Sequence, residues 1–237
     1  GKDFSPARAM DQLTEGLDKL ISEAPEMPDM TGEAMSSQQG KESPSRNYNY
    51  LERLGFGRLH IQGLEVMHGE GLGKAHKLAP LVTENFVLIL CGDRGRGKTQ
   101  ISTYLAAQIE VNRSRIGWEH KTHARAPRYF CAHDLMQAIR GEFSVIREQC
   151  QQSIRTLAQA SSCSLLVIDE FSELTGSDYN KRTLTNLIDR RYRAMLPTII
   201  ISNTDPKNIA GEVGRSTYDR ASESGGIVEC NWTSYRR

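Results

Sequence analysis

The sequence predicts an α/β protein built on a parallel five-stranded sheet covered by helices. Three observations predict it. Phe86–Cys91 is a short, wholly apolar run closed by glycine, the pattern of a strand buried on both faces. The glycine-rich octet Gly92–Thr99 follows it directly and opens a helical pattern. Four further runs, Arg128–Ala132, Ser164–Ile168, Thr198–Ser202 and Ile227–Cys230, recur with helical patterns between most of them, as parallel strands joined by crossovers require.

Taken in order, the chain opens with a segment unlike the rest. Ser5-Pro6 reads as an N-cap followed by proline at the first helical position. Met10, Leu13, Leu17, Leu20 and Ile21 then recur every three or four residues, an amphipathic helix that must stop before Pro25. Glu26–Asn47 is rich in Pro, Gly, Ser, Gln and Met without a period and reads as a flexible linker. Residues 1–47 carry five basic against nine acidic side chains. They are expected to form a partner-binding appendage to a domain spanning 48–237. From Leu51 onward the pattern reads as strand and helix in alternation. A helix is expected from Lys98 to about Asn112 with Ile101, Leu105 and Ile109 on one face, and another from Asp134 bearing Leu135, Ile139 and Phe143.

Composition excludes several classes. A net charge of +1 over 237 residues gives no overall field that demands nucleic acid or acidic lipid. No apolar run approaches the ~18 residues needed to cross a bilayer, and no membrane partner is expected. Residues 1–25 alternate charge with isolated apolar positions, unlike a secretory leader. The five cysteines show no C-x-x-C pair and no histidine at ligand spacing, so they read as reduced, mostly buried thiols of a cytoplasmic protein.

The chemistry lies at the strand ends. Gly92-Asp93-Arg94-Gly95-Arg96-Gly97-Lys98-Thr99 matches G-x-x-x-x-G-K-[ST] between a strand and a helix, where its glycines let the backbone wrap phosphates. Lys98 is expected to reach the β- and γ-phosphates and the Thr99 hydroxyl to ligate Mg²⁺; Gln100 continues the ATP-binding turn. Leu165–Glu170 delivers two carboxylates at the end of a strand: Asp169 to hold Mg²⁺ and Glu170 to act as general base on water. No guanine-reading N-K-x-D is present, since Asn180-Lys181-Arg182-Thr183 has the wrong fourth residue, so ATP is preferred over GTP. Asn203 follows the fourth strand, where a carboxamide can orient water and the γ-phosphate; the same residue also suits a turn before Asp205-Pro206. Arg215 and Arg220 lie in a short helical stretch after Gly214 and read either as solvated helix arginines or as groups facing a neighbouring subunit's nucleotide.

On these residues the sequence resembles the AAA+ ATPases, and among them the DnaC-type replicative helicase loaders, over roughly residues 50–237. Gly92–Thr99 resembles the Walker A motif, Leu165–Glu170 the Walker B motif and Asn203 the sensor I residue. The run Asp189-Arg190-Arg191 before Pro197-Thr198, and Gly214-Arg215 with Asp219-Arg220, resemble the family's later motifs, the last carrying its arginine finger. Cys230-Asn231-Trp232-Thr233-Ser234-Tyr235-Arg236 is similar to the family's C-terminal signature. The resemblance implies strand order 5-1-4-3-2, a chain without the helical lid and its sensor II arginine, Mg²⁺ and ATP as cofactors, and self-association into a ring or spiral. It implies a DnaB-type helicase hexamer and single-stranded DNA as partners. A loader that places that helicase on DNA is therefore expected, with an IstB-like ATPase helper of transposition as the alternative. A nucleotide-binding adaptor that never hydrolyses ATP is disfavoured by intact Lys98, Thr99, Asp169 and Glu170.

Two basic clusters are open to two readings. Asn112–Pro127 holds Arg113, Arg115, His120, Lys121, His123 and Arg125 around Trp118, either a solvated loop or a contact for single-stranded DNA. Lys181, Arg182, Arg190, Arg191 and Arg193 follow the acidic pair. They read as channel-facing DNA contacts in a family-type assembly, or as charges drawn to a helix C-terminus by its dipole.

Overall fold

A computed structural model describes residues 49–80, 87–116, 126–141, 146–173 and 178–234. The expected helix of residues 5–23, the linker to Asn47, Trp118 to Arg125, Phe86, Phe143 and Tyr235 to Arg237 lie outside the described residues. So, therefore, does the assignment of residues 1–47 to a partner.

Five strands form one all-parallel sheet: β1 (Val87–Cys91), β2 (Arg128–Cys131), β3 (Leu166–Asp169), β4 (Thr198–Ile201) and β5 (Gly226–Glu229). Their order is β2-β3-β4-β1-β5, which is the expected 5-1-4-3-2 read from the other edge. β1 lies between two partners, with Ile89 opposite Ile200 of β4 on one side and Ile227 of β5 on the other. The sequence places these strands to within two residues. The shift that matters is at β3, which begins at Leu166 and ends on Asp169, so that this carboxylate is the strand's last residue.

Alternation along a strand sends successive side chains to opposite faces. Leu88 and Leu90 join Val167, Ile199 and Ile201 in a cluster with Ile101, Leu105 and Ile109 of α4 (Lys98–Ile116). Ile89, Ile168 and Ile200 are fully buried at the intervening positions. Each such side chain contributes about 1.5–3 kcal/mol on burial, which explains why the central strands β1, β3 and β4 are mostly branched aliphatics, unlike the edge strands β2 and β5. α4 runs four residues past the expected end at Asn112, so the backbone of the basic stretch begins as helix.

One region differs from expectation. Residues 49–80 form helices only: α1 (Asn49–Arg53), α2 (Arg58–Gln62) and α3 (Gly69–Leu78). Their Leu51, Phe56, Ile61, Ala75 and Leu78 belong to the same core cluster as α4. Glycines interrupt these short helices before an apolar period can be read. Gly55, at φ 96°, is one of them; a side chain there would collide with the Tyr129 carbonyl of β2. The remaining elements are α5 (Ala132–Gly141), α6 (Arg147–Ser162), a 3₁₀ turn (Phe171–Glu173), α7 (Asp178–Arg193), α8 (Ile209–Val213) and α9 (Arg215–Glu223). No helix among the described residues is long and apolar enough to cross a membrane.

Candidate nucleotide site

The C-terminal ends of β1, β3 and β4 open into one cleft of about 390 Å³, where ligands of parallel sheets bind. Arg94–Thr99 line it with Asp169, Glu170 and Asn203, so motifs far apart in the sequence meet here.

The loop owes its shape to glycine. Gly92 has φ 113°, and a Cβ there would stand 2.9 Å from the Cys230 carbonyl, so β5's continuation presses against the loop's first residue. Gly95 and Gly97 also take positive φ, 82° and 78°, which turns the backbone back on itself before α4 begins. Lys98, first residue of α4, is only 5% exposed. Its Nζ donates to the carbonyls of Gly92 at 2.6 Å and Asp93 at 2.7 Å. Burial pushes the ammonium's pKa down, opposed by Cys230, Asp169 and Asp93 nearby.

Asp169 is the hub of the cleft. Thr99 Oγ1 donates to its Oδ2 at 2.7 Å, the Tyr129 hydroxyl to the same oxygen at 2.8 Å, and the Glu170 backbone N–H to Oδ1 at 2.6 Å. Thr99 and Asp169, both assigned to Mg²⁺ from sequence, are thus in direct contact. Burial, then the adjacent carboxylate, pushes the Tyr129 phenol's pKa far up, so it acts as a donor. Glu170 takes a left-handed φ of 57°, uncommon for a side-chain-bearing residue, at the position assigned the base. It is exposed at the cleft, and its carboxylate accepts a hydrogen bond from Cys131 Sγ at 3.1 Å. Burial and this bond raise the Cys131 thiol's pKa.

Asn203 also reaches the cleft, on a braced turn. Its N–H donates to Ser172 Oγ at 3.3 Å, while the flanking Ser202 and Thr204 hydroxyls both donate to the Glu212 carboxylate of α8. The Thr204 carbonyl accepts from the Gly92 N–H at 3.2 Å, joining this turn to the phosphate loop.

Several assigned residues stand elsewhere. Gln100, expected to bind ATP, donates instead to the Gly63 carbonyl beyond α2 and serves as a packing tie. Gly92 and Asp93 form the base of the loop rather than the cleft's lining; the Asp93 carboxylate is exposed and pairs with Arg96, which also donates to the Trp232 carbonyl. Arg215 is exposed at the start of α9, and Arg220 pairs with Asp189 of α7 and stacks over the Tyr192 ring at 5.2 Å. Neither lines this cleft.

Arg191 needs a correction. The sequence groups it with the DNA contacts, yet it is 0% exposed. Nε donates to Thr198 Oγ1 at 3.0 Å, Nη1 to the carbonyls of Ala160 at 2.8 Å and Cys163 at 3.1 Å, and Nη2 to the Pro197 carbonyl at 2.6 Å. These carbonyls include the end of α6, where the helix dipole favours a cation. Arg191 is a structural rivet. Arg182 is exposed and Lys181 and Arg190 half-buried, so these three remain at the surface of α7.

Sequence reasoning missed Tyr129 and His60, both of which line the cleft. For Tyr129 a signal existed: it lies in the strand next to the one ending in Asp169. His60, on α2, followed from no pattern.

Comparison with known proteins agrees with the fold. No protein-family model matches the sequence. The replicative helicase loader DnaC of Buchnera aphidicola from Acyrthosiphon pisum is 28% identical over 150 residues, 63% of this chain and 56% of that protein. The DnaC of Buchnera aphidicola from Schizaphis graminum is 27% identical over 197 residues, 79% of this chain and 74% of that protein. A crystal structure of the DnaC helicase loader superposes with TM-score 0.55 at 17% identity, over 73% of this chain and 99% of that one. The chain is similar in sequence to replicative helicase loaders named DnaC, and its core shares the fold of a solved DnaC. The match to the first of these relatives spans little more than half of its length. On the DnaC-like core, the cleft gathers the residues to which the sequence assigns phosphates, cation and base.

Proposed function

We propose that this chain is an ATP-driven loader that binds a DnaB-type helicase hexamer and places it on single-stranded DNA. The observation that carries the reading is the contact of Thr99 with Asp169 beside Lys98 and Glu170, on a core similar to relatives named replicative helicase loaders. The residues fit MgATP: the loop glycines and Lys98 suit the phosphates, and Thr99 and Asp169 suit a magnesium ion that draws few protein ligands. Glu170, exposed at the rim, suits the base on water, and Asn203 suits a polar partner for that water or the γ-phosphate. ATP supplies the phosphoanhydride whose cleavage drives the cycle. Arg220 suits a neighbouring subunit's nucleotide, because it stands outside its own cleft, and this in turn calls for self-association. Lys181, Arg182 and Arg190 suit single-stranded DNA, and residues 1–47 suit the helicase.

The deciding experiment is co-purification with a DnaB-type hexamer and, separately, with an IstB-partnered transposase. ATP-dependent capture of the hexamer supports the loader. Capture of the transposase alone replaces it with the transposition helper. Removal of residues 1–47 should abolish hexamer capture while ATP binding persists; a shortened chain that captured it at full affinity would move the interface onto the ATPase core.

A further inference from the structure

Tyr129 carries no motif, yet it is tied into the cleft from three directions. Its hydroxyl donates to Asp169 Oδ2 at 2.8 Å, the oxygen that also accepts from Thr99. Its ring packs against Phe56, with centroids 5.5 Å apart. Its backbone N–H donates to the Leu54 carbonyl at 3.0 Å, so the α1–α2 segment and β2 hold it jointly. Asp169 is buried, and a buried carboxylate needs several donors to hold one orientation. Thr99 can ligate a cation through an oxygen lone pair while its O–H goes on donating to Oδ2, so it and the phenol share that oxygen. The Glu170 N–H fixes Oδ1 only. Of the two donors to Oδ2, the phenol is the one carried on a rigid ring, packed against Phe56 and outside the phosphate loop.

We propose that Tyr129 is a positioning residue for the magnesium site: it fixes the Asp169 carboxylate and links that orientation to the α1–α2 segment. The inference rests on the reading of this cleft as a MgATP site. Partners that orient a metal-binding carboxylate commonly affect metal affinity about 10–100-fold when removed. Tyr129→Phe removes the donor and keeps the ring and its packing, so the fold should survive.

The test uses the full chain and a fluorescent ADP analogue, read by anisotropy, with magnesium titrated from an EDTA-treated start. For the wild type, nucleotide affinity should rise with magnesium. For Tyr129→Phe, the magnesium midpoint should move up by about tenfold while magnesium-free nucleotide affinity stays as in the wild type. The lost hydrogen bond should lower the thermal midpoint only modestly, leaving the chain folded at the assay temperature. A purely structural role would weaken nucleotide binding equally with and without magnesium, and that outcome overturns the proposal. An unchanged or lowered magnesium midpoint overturns it as well. A wild-type chain whose nucleotide binding ignores magnesium overturns the reading of the cleft itself, and the proposal with it.

Discussion

Lys98 and Arg191 are both buried cations whose hydrogen bonds go mostly to backbone carbonyls. Lys98 is 5% exposed and holds Gly92 and Asp93; Arg191 is 0% exposed and holds Ala160, Cys163 and Pro197. The regions around them differ in their openings. The ammonium borders the cleft at the strand ends, on a flexible stem with three rotatable donors, so it can exchange a carbonyl for a phosphate oxygen. The guanidinium is a rigid fork sealed between α6, α7 and β4, with Nε, Nη1 and Nη2 all engaged. Burial of a charge on carbonyls is therefore not in itself a sign of function. Access decides, and access is a property of the fold.

Arg220 tests whether an arginine outside the cleft can still be catalytic, and it carries the largest expected effect. It is held by Asp189 and Tyr192 within its own subunit. Arg220→Ala should leave ATP affinity of the subunit nearly intact and lower assembly-dependent hydrolysis by roughly 10³–10⁵. Mixing Arg220→Ala with Lys98→Ala chains should restore part of the turnover, because some interfaces then join a good cleft to a good arginine. No recovery at any ratio, with assembly confirmed by light scattering, would place Arg220 on the structural side with Arg191.

Next comes the cleft itself. Glu170→Gln should keep ATP binding and lower hydrolysis by roughly 10²–10⁴, whereas Lys98→Ala should lose binding. Equilibrium binding and steady-state phosphate release separate the two. A Glu170→Gln chain with wild-type turnover would remove the base from this site.

Arg191→Met should do the reverse. Several carbonyls are deprived of their donor together, so stability should fall by about 3 kcal/mol or more. Arg191→Lys should rescue little, because one ammonium cannot span the fork's partners. Urea midpoints measure the loss; ATP affinity of the folded fraction should not change. For the surface set, Lys181→Ala with Arg182→Ala should change stability by less than about 0.5 kcal/mol. If these side chains meet single-stranded DNA, removing each phosphate-binding cation should flatten the salt dependence of binding by about 0.7 in slope. An unaltered slope would leave α7 without a DNA role.

How much of this was legible in the sequence follows the same division. Gly92–Thr99 was readable because its chemistry is backbone chemistry, and only glycines at fixed spacing permit it. Asp169 and Glu170 were readable because they close an apolar strand, and ligands of parallel sheets bind at such ends. Strand order came from the resemblance to AAA+ proteins, not from periodicity, and α1–α3 were hidden by glycines between short helices. Arg190 and Arg191 are neighbours of the same charge, and nothing local says that the second turns inward. Tyr129 and Cys131 act on residues 40 and 39 positions away, contacts that exist only once β2 lies beside β3.

The smallest expected effect concerns the thiols under the phosphate loop. Cys91 ends β1, and its carbonyl accepts the Cys230 N–H at 2.8 Å, so both residues lie at the base of the loop. Burial pushes the Cys91 thiol from 9.0 up to about 11 and the Cys230 thiol up to about 12. A raised pKa in the folded state means that the folded protein keeps protons which the unfolded chain releases. The associated stability is complete below pH 9 and is lost as pH rises from 9 toward 11 and 12. Urea midpoints measured from about pH 8 to 10.5 should therefore be level at first and then decline. In a Cys91→Ala, Cys230→Ala chain the starting midpoint should be lower, since two buried side chains shrink, but the alkaline decline should be shallower. The Lys98 ammonium works against this trend: its lowered pKa means that the unfolded chain binds the proton more tightly, which adds stability as pH rises toward 10.5. A decline equally steep with and without the two thiols would assign the alkaline loss to other groups and leave the loop's underside electrostatically silent.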